Sequence, residues 1–316
     1  MRSGIIAILT AAALAAGCAG RAPKQPSAPA TRAFPQAEIP SVYTEPGERL
    51  EYMAMHFWDK FLDTNSFWAT DTTLLLGVPK VKVEEQVGIF SSLLEMDQVP
   101  FGTGVRAMEK TARLLEPWAS RDSLFDERFI HYLDKYFYDP QSPVRDEDLW
   151  GAFAGVLARS SREDAGRYGY IAARASLARR GTIAPDFVYS EASGRRRTLH
   201  GIKAEYLVLI FGNPDCSACK DLMVAMREDS RISGLIAQGR LKVADIYIDE
   251  DVALWKSRLA EYPREWIHGY DPLHIIRDDF MYHVRAIPSI YLLDKDKRVL
   301  LKDAPEDRLL KKLAGL

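Results

Sequence analysis

Cysteine is scarce in this chain, three among 316 residues, and so are long hydrophobic runs and net charge. A structural zinc site takes four ligands, so Cys216 and Cys219 would need two more from a supply of one other cysteine, Cys18, and a few scattered histidines. Covalent haem attachment wants histidine directly after a Cys-x-x-Cys pair, and Lys220 stands there instead. No metal ligation, and no organic cofactor, is expected. The N-terminal apolar run from Ile5 to Ala16 is about 12 residues, well short of the roughly 20 that cross a bilayer as a helix. A formal net charge of −2 gives no bias toward nucleic acid, and short basic runs such as Arg195-Arg196-Arg197 are offset by nearby acids as on a solvated surface.

What the chain does have is Phe211-Gly212-Asn213-Pro214-Asp215-Cys216-Ser217-Ala218-Cys219-Lys220, placed directly after the apolar run Tyr206 to Phe211. That run reads as a buried strand, so the two thiols fall where a strand ends and a helix begins. Unpaired N–H groups and the macrodipole at a helix N-terminus favour thiolate over thiol, which makes Cys216 a nucleophile near neutral pH. A static disulfide across one helical turn would constrain almost nothing, because the loop it closes is so short. The spacing therefore points to a dithiol–disulfide redox centre.

The N-terminus carries Arg2, the apolar stretch and then Ala15-Ala16-Gly17-Cys18, the form of a secretory signal at 1–17. It resembles a bacterial lipobox, although leucine stands at position 14, one step earlier than usual. That resemblance implies Cys18 as the lipidated first residue of the mature chain, leaving Cys216 and Cys219 as its only free thiols. Ala19 after the cysteine then points, by the sorting rule of Gram-negative lipoproteins, to an outer-membrane lipoprotein facing the periplasm. Residues 18–44 hold five prolines between Pro23 and Pro40 with no apolar period, so they read as an extended tether.

Residues 45–180 have helical periodicity. Leu50, Met53, Ala54, Phe57, Trp58 and Phe61 recur at steps of three and four, as do Val83, Val87, Phe90 and Leu94, then Val105, Met108, Ala112 and Leu115. Five or six helices follow, with Ser142 and Pro143 suited to the start of the one that carries Leu149, Phe153 and Val156. The aromatic stripes read as core, with a peptide groove as the alternative, and no nucleotide loop, metal spacing or triad is present in this half.

From 181 to 316 the period changes. Strands are expected at 187–189 and 198–200, then at 206–211 and 243–248, and as a final pair at 289–293 and 298–301. Between and after them fall helices from Cys219, about 255–262, about 273–284 and at 306–313. The order is α/β with a mixed sheet, behind an all-α domain.

These residues resemble the thioredoxin fold, and more closely the TlpA-like or ResA-like thiol–disulfide oxidoreductases. The resemblance rests on Ala184-Pro185-Asp186-Phe187, the Cys216/Cys219 pair, and Ala286-Ile287-Pro288-Ser289-Ile290 followed by Leu292-Leu293-Asp294. With its helical part, the whole chain looks like two-domain lipoproteins of Bacteroidetes in which a domain of unknown function precedes a TlpA-like module. The resemblance implies a cis Pro288 packed beside the cysteines, with Ile287 and Pro288 positioning an extended substrate. It also implies Cys216 as attacking thiolate, Cys219 as resolving thiol, protein disulfides as substrates, and an upstream electron donor. A scaffold that uses the thioredoxin-like module only for protein contact is the rival reading.

Two positions depart from the family pattern. Asp215 replaces the tryptophan often found before the first cysteine, and Ile210 stands where a buried acid is common. Asp215 should oppose thiolate formation at Cys216 and lower the reduction potential, which favours a reductase. Ile210 leaves Cys219 without its usual proton acceptor.

Overall fold

Residues 30–65, 68–278 and 281–316 are described by a computed structural model. Cys18, the signal segment and the first part of the expected tether lie outside the described residues. The helical half contains α1 (Pro46–His56), a small hairpin of β1 (Leu74–Leu75) and β2 (Val78–Pro79), α2 (Lys80–Leu94), α3 (Phe101–Leu115), α4 (Trp118–Arg121), α5 (Ser123–Phe137), α6 (Glu147–Leu157) and α7 (Ala165–Ala175). The apolar stripes turn inward as their spacing requires, and Trp58, Phe61, Phe90, Phe125 and Phe129 form one buried cluster. Several of their rings meet edge to face, as between Trp58 and Phe129 with centroids 4.9 Å apart, an arrangement that aromatic quadrupoles prefer. None of the described helices is long and apolar enough to cross a membrane.

Two expectations for this half are corrected. The start of α6 is set by Asp146, whose side chain accepts the N–H of Leu149, while the Ser142 hydroxyl donates to the carbonyl of Tyr136 inside the preceding turn. The described end of the tether is not free either. Arg32 donates its backbone N–H to Gly77 and its Nε to Leu76, and Phe34 packs on Phe57, Trp58 and Phe61. One arginine and one aromatic among the prolines dock this segment on the helical core.

The second half is a seven-stranded mixed sheet in the order β4-β3-β7-β6-β5-β8-β9. Its strands are β3 (Val188–Ser190), β4 (Arg196–Thr198), β5 (Tyr206–Gly212), β6 (Leu241–Tyr247), β7 (Ile267–Tyr270), β8 (Ser289–Asp294) and β9 (Val299–Leu301). The central β5 pairs in parallel with β6 and antiparallel with β8. Its residues alternate between two cores: Leu207, Leu209 and Phe211 enter one face, Val208 and Ile210 the other. The helices are α8 (Ser217–Glu228), α9 (Ser230–Ala237), α10 (Val252–Arg258), α11 (Ile275–Asp278) and α12 (Glu306–Ala314).

Here too the sequence pattern needs correction. β7 carries His268 and Gly269, which break the apolar alternation by which a strand is recognised. The helix expected over 273–284 is the short α11, and residues 281–288 are not helical, because their side chains serve separate neighbours. Tyr282 donates to the carbonyl of Pro185, while His283 and Arg285 reach Glu147 on α6.

Candidate active site

β5 ends at Gly212 and α8 begins at Ser217, so four residues must turn the chain. Asn213 shapes that turn. Its Oδ1 accepts the N–H of Asp215 at 2.9 Å, its carbonyl accepts the N–H of Cys216 at 3.1 Å, and its Nδ2 donates to Asp249 at 2.6 Å. Cys216 thereby becomes the N-cap of α8, its Sγ accepting the N–H of Cys219 at 3.1 Å. Negative charge on this sulfur is favoured by the free N–H groups and dipole of the helix.

Cys216 and Cys219 form a disulfide, with Cα atoms 5.3 Å apart. Both are half-buried, and Ser217 and Ala218 between them are exposed, so the pair is open to a large partner. Facing it, the Ile287–Pro288 peptide is cis, and the Ile287 carbonyl lies 3.7 Å from Cys216 Sγ. A reduced Cys216 thiol could donate to that oxygen. The fold thus brings Cys216, Cys219, Ile287 and Pro288 to one place. Asp215 is exposed and has Arg258 within 3.9 Å, so its charge next to Cys216 is partly countered.

On the inner side, the structure supplies residues that the sequence pattern did not single out. The parallel register of β5 and β6 sets Asp245 beside Ile210, and in-register neighbours point to the same face. Asp245 is 7% exposed, and its Oδ2 lies 3.6 Å from Nδ1 of His268, its register partner on β7. His268 Nε2 contacts the carbonyl of Pro263 at 2.8 Å; a carbonyl can only accept, so Nε2 carries the proton. His268 Nδ1 is buried without a hydrogen-bond partner. A cavity of about 290 Å³ connects Asp245 with Cys219, lined also by Asn213, Met223, Tyr262 and Trp266. Burial, then the Asp245 charge, pushes the Tyr262 hydroxyl well above its ordinary range. The one signal of this arrangement in the sequence was a single acid inside the apolar run of β6.

His268 and His274 stand at a spacing that could suit a metal, but among the described residues no group of three or more His, Cys, Asp or Glu could hold one. A second cavity, about 1030 Å³, opens in the helical half between Phe34, Met53, Phe57, Ile89, Met96 and Val144.

Comparison with known proteins divides the chain at the same place as its architecture. Residues 16–180 match the family described as a domain of unknown function, DUF5106. The crystal structure of a thioredoxin-like protein from Bacteroides caccae is similar at 32% identity, with a TM-score of 0.74, over 90% of this chain and 98% of that one. The C-terminal domain of an uncharacterized protein from Bacteroides fragilis is 41% identical over 43% of this chain and 97% of its own, with a TM-score of 0.42. The thioredoxin domain of a thiol-disulfide oxidoreductase from Bacteroides vulgatus is 19% identical over 43% of this chain and 96% of its own, with a TM-score of 0.39. No curated protein matches.

Proposed function

The chain belongs to the DUF5106 family, with a thioredoxin-like domain behind the family's own domain, and from that premise we propose that it is a thiol–disulfide oxidoreductase that reduces protein disulfides. The observation that carries this reading is the Cys216–Cys219 disulfide at the N-terminus of α8, set against the carbonyl of Ile287. In the reduced protein, the Cys216 thiolate attacks a substrate disulfide, and one substrate sulfur leaves as thiolate. Cys219 then attacks Cys216 Sγ, expels the second substrate thiolate and closes the internal disulfide, so the protein pair is oxidised as the substrate is reduced. Ile287 and Pro288 line the approach to Cys216 and position the substrate strand. An upstream dithiol donor must return the pair to its reduced form.

The direction is tested by the equilibrium reduction potential of the pair, titrated against glutathione or dithiothreitol. A value near about −250 mV or lower is expected, and one near about −120 mV would make the protein an oxidase instead. Replacing Cys219 with serine should trap a mixed disulfide on Cys216 that mass spectrometry detects; no adduct after incubation with disulfide-bonded protein would sink the mechanism.

The location proposed with this activity is the periplasmic face of the outer membrane, through a lipid on Cys18. Metabolic labelling with a fatty-acid analogue should mark the chain but not its Cys18→Ser variant. A scaffold reading has one feature in its favour, the apolar cavity of the helical half. Replacing both Cys216 and Cys219 by serine separates the two, because a scaffold keeps its partner and its phenotype.

A further inference from the structure

The resolving step of the proposed reaction releases a proton from Cys219, and Ile210 cannot take it. We propose that Asp245, backed by His268, is the proton acceptor for Cys219, moved one strand across the sheet from the position that Ile210 occupies. This rests on the oxidoreductase reading above and adds the route of the proton to it.

Three observations lead to Asp245. First, β5 and β6 are in register at Ile210 and Asp245, so the carboxylate occupies the space beside Ile210 on the face where α8 packs. Second, Gly212 lies against both this carboxylate and the thiol. A Cβ on Gly212 would lie 3.1 Å from Asp245 Oδ1 and 3.6 Å from Cys219 Sγ. The two groups are therefore no farther apart than those distances laid end to end, a gap short enough for one water to span, and both line the same cavity. Third, the pair has room for one proton. His268 Nε2–H is committed to the carbonyl of Pro263, which leaves Nδ1 with a lone pair facing the Asp245 carboxylate at 3.6 Å. Two acceptors face each other there, one of them a buried nitrogen without a partner, and a proton placed on Asp245 makes the pair a donor and an acceptor that a small approach would join.

In the step itself the Cys219 S–H proton passes through a water in the cavity to Asp245, whose protonated carboxyl faces His268 Nδ1. The sulfur electron pair so freed attacks Cys216 Sγ, and the bond from Cys216 to the substrate sulfur breaks with its electrons on the substrate. The other titratable groups around Asp245 are Lys220 on α8, at the rim of the cavity, and Glu261 and Tyr262 on the turn after α10. Tyr262 stays protonated through the physiological range and cannot compete for the proton.

The two chemical steps can be read separately with dithiobis(nitrobenzoate), which releases one coloured thiolate when Cys216 attacks and a second when Cys219 resolves. The whole chain, carrying Cys18→Ser so that only two thiols report, is reduced, desalted and mixed with one equivalent of the reagent. In Asp245→Asn the second release should be at least about tenfold slower at pH 7, while the first keeps its rate. The deficit should close above the ordinary thiol pKa of about 8.5, where Cys219 ionises without help. Gly212→Ala, whose added methyl would sit 3.1 Å from Asp245 Oδ1, pushing the carboxylate aside by a few tenths of an ångström and narrowing the passage, should also slow the second release alone and carries the test if Asp245→Asn fails to fold. A second release of unchanged rate at pH 7, or equal slowing of both steps at every pH, overturns the proposal. If the parent chain gives only the first release, as Cys219→Ser must, the oxidoreductase reading itself fails and the proton route with it.

Discussion

Gly269 shows what one absent side chain does for the sheet. It lies on β7 beneath the ring of Tyr189 on β3, and a Cβ there would fall 2.4 Å from Tyr189 Cδ2. Tyr189 is buried, so its ring cannot swing into solvent without losing its place in the core. Gly269→Ala should destabilise the protein by about 1–3 kcal/mol in urea unfolding, the usual cost of overpacking. An unchanged midpoint would mean that β3 can shift at no cost. The same scale decides what the sequence could reveal of the site. Cys216 and Cys219 declare themselves because their chemistry lies in adjacent letters, and Ile287 and Pro288 because they sit in a recognisable run. Asp245 does not, since nothing in its neighbours shows that β6 pairs with β5 at Ile210. A missing acid was legible; the acid on the next strand needed the register.

At the level of elements, the long amphipathic helices were legible because a repeated apolar face survives in any context. Short elements were not. α11, α9 and the β1–β2 hairpin have too few residues to show a period, and connections between longer elements are set by distant partners. The connection from α6 to α7 is one such case. Arg162 forks onto Asp126 of α5 with contacts of 2.9 and 2.7 Å, and its Nε donates to Asp164 ahead of α7 at 2.9 Å. Both Arg162 and Asp126 are nearly inaccessible, which makes this a desolvated pair with two-pronged geometry. Arg162→Ala strands the Asp126 carboxylate in the core and should cost about 3–5 kcal/mol in chemical denaturation. Replacing both residues with apolar ones should cost far less; if the single and double variants lose equally, the charge is not what matters there.

For the molecule as a whole, the two halves meet through ions rather than through a shared apolar core. Glu147 at the start of α6 and Lys302 after β9 are both buried, 2.9 Å apart, and Lys302 also donates to the carbonyl of Ala175 on α7. Glu147 reaches His283 and Arg285 as well, and Arg285 binds Asp303, which accepts from Ser289 at 2.9 Å. Ile287 and Pro288 sit on the loop between Arg285 and Ser289, so the helical half holds the loop that faces Cys216. No sequence pattern could announce this seam, because its members are single charged letters scattered along both halves. Burial alone would raise the Glu147 carboxyl, but the His283 hydrogen bond and the charges of Lys302 and Arg285 outweigh it and hold the group below its ordinary range. A carboxyl depressed in the folded state stabilises the fold fully above its unfolded pKa of about 4.3, and this contribution fades as the pH falls through the lower folded value. Glu147→Gln removes the contribution and leaves buried Lys302 with only Asp148, 3.8 Å away, as its counter-charge, a loss of about 3 kcal/mol at neutral pH. The gap between the two proteins in urea unfolding should therefore be widest above about pH 5 and narrow as the solution is acidified. Asp146, which burial pushes the other way, titrates in both proteins and largely cancels in the difference, whereas Asp303 cancels only in part, because the Glu147 charge adds to the burial that raises it. A gap that stays constant from neutral pH to acid would show that Glu147 acts at this seam by packing and not by charge.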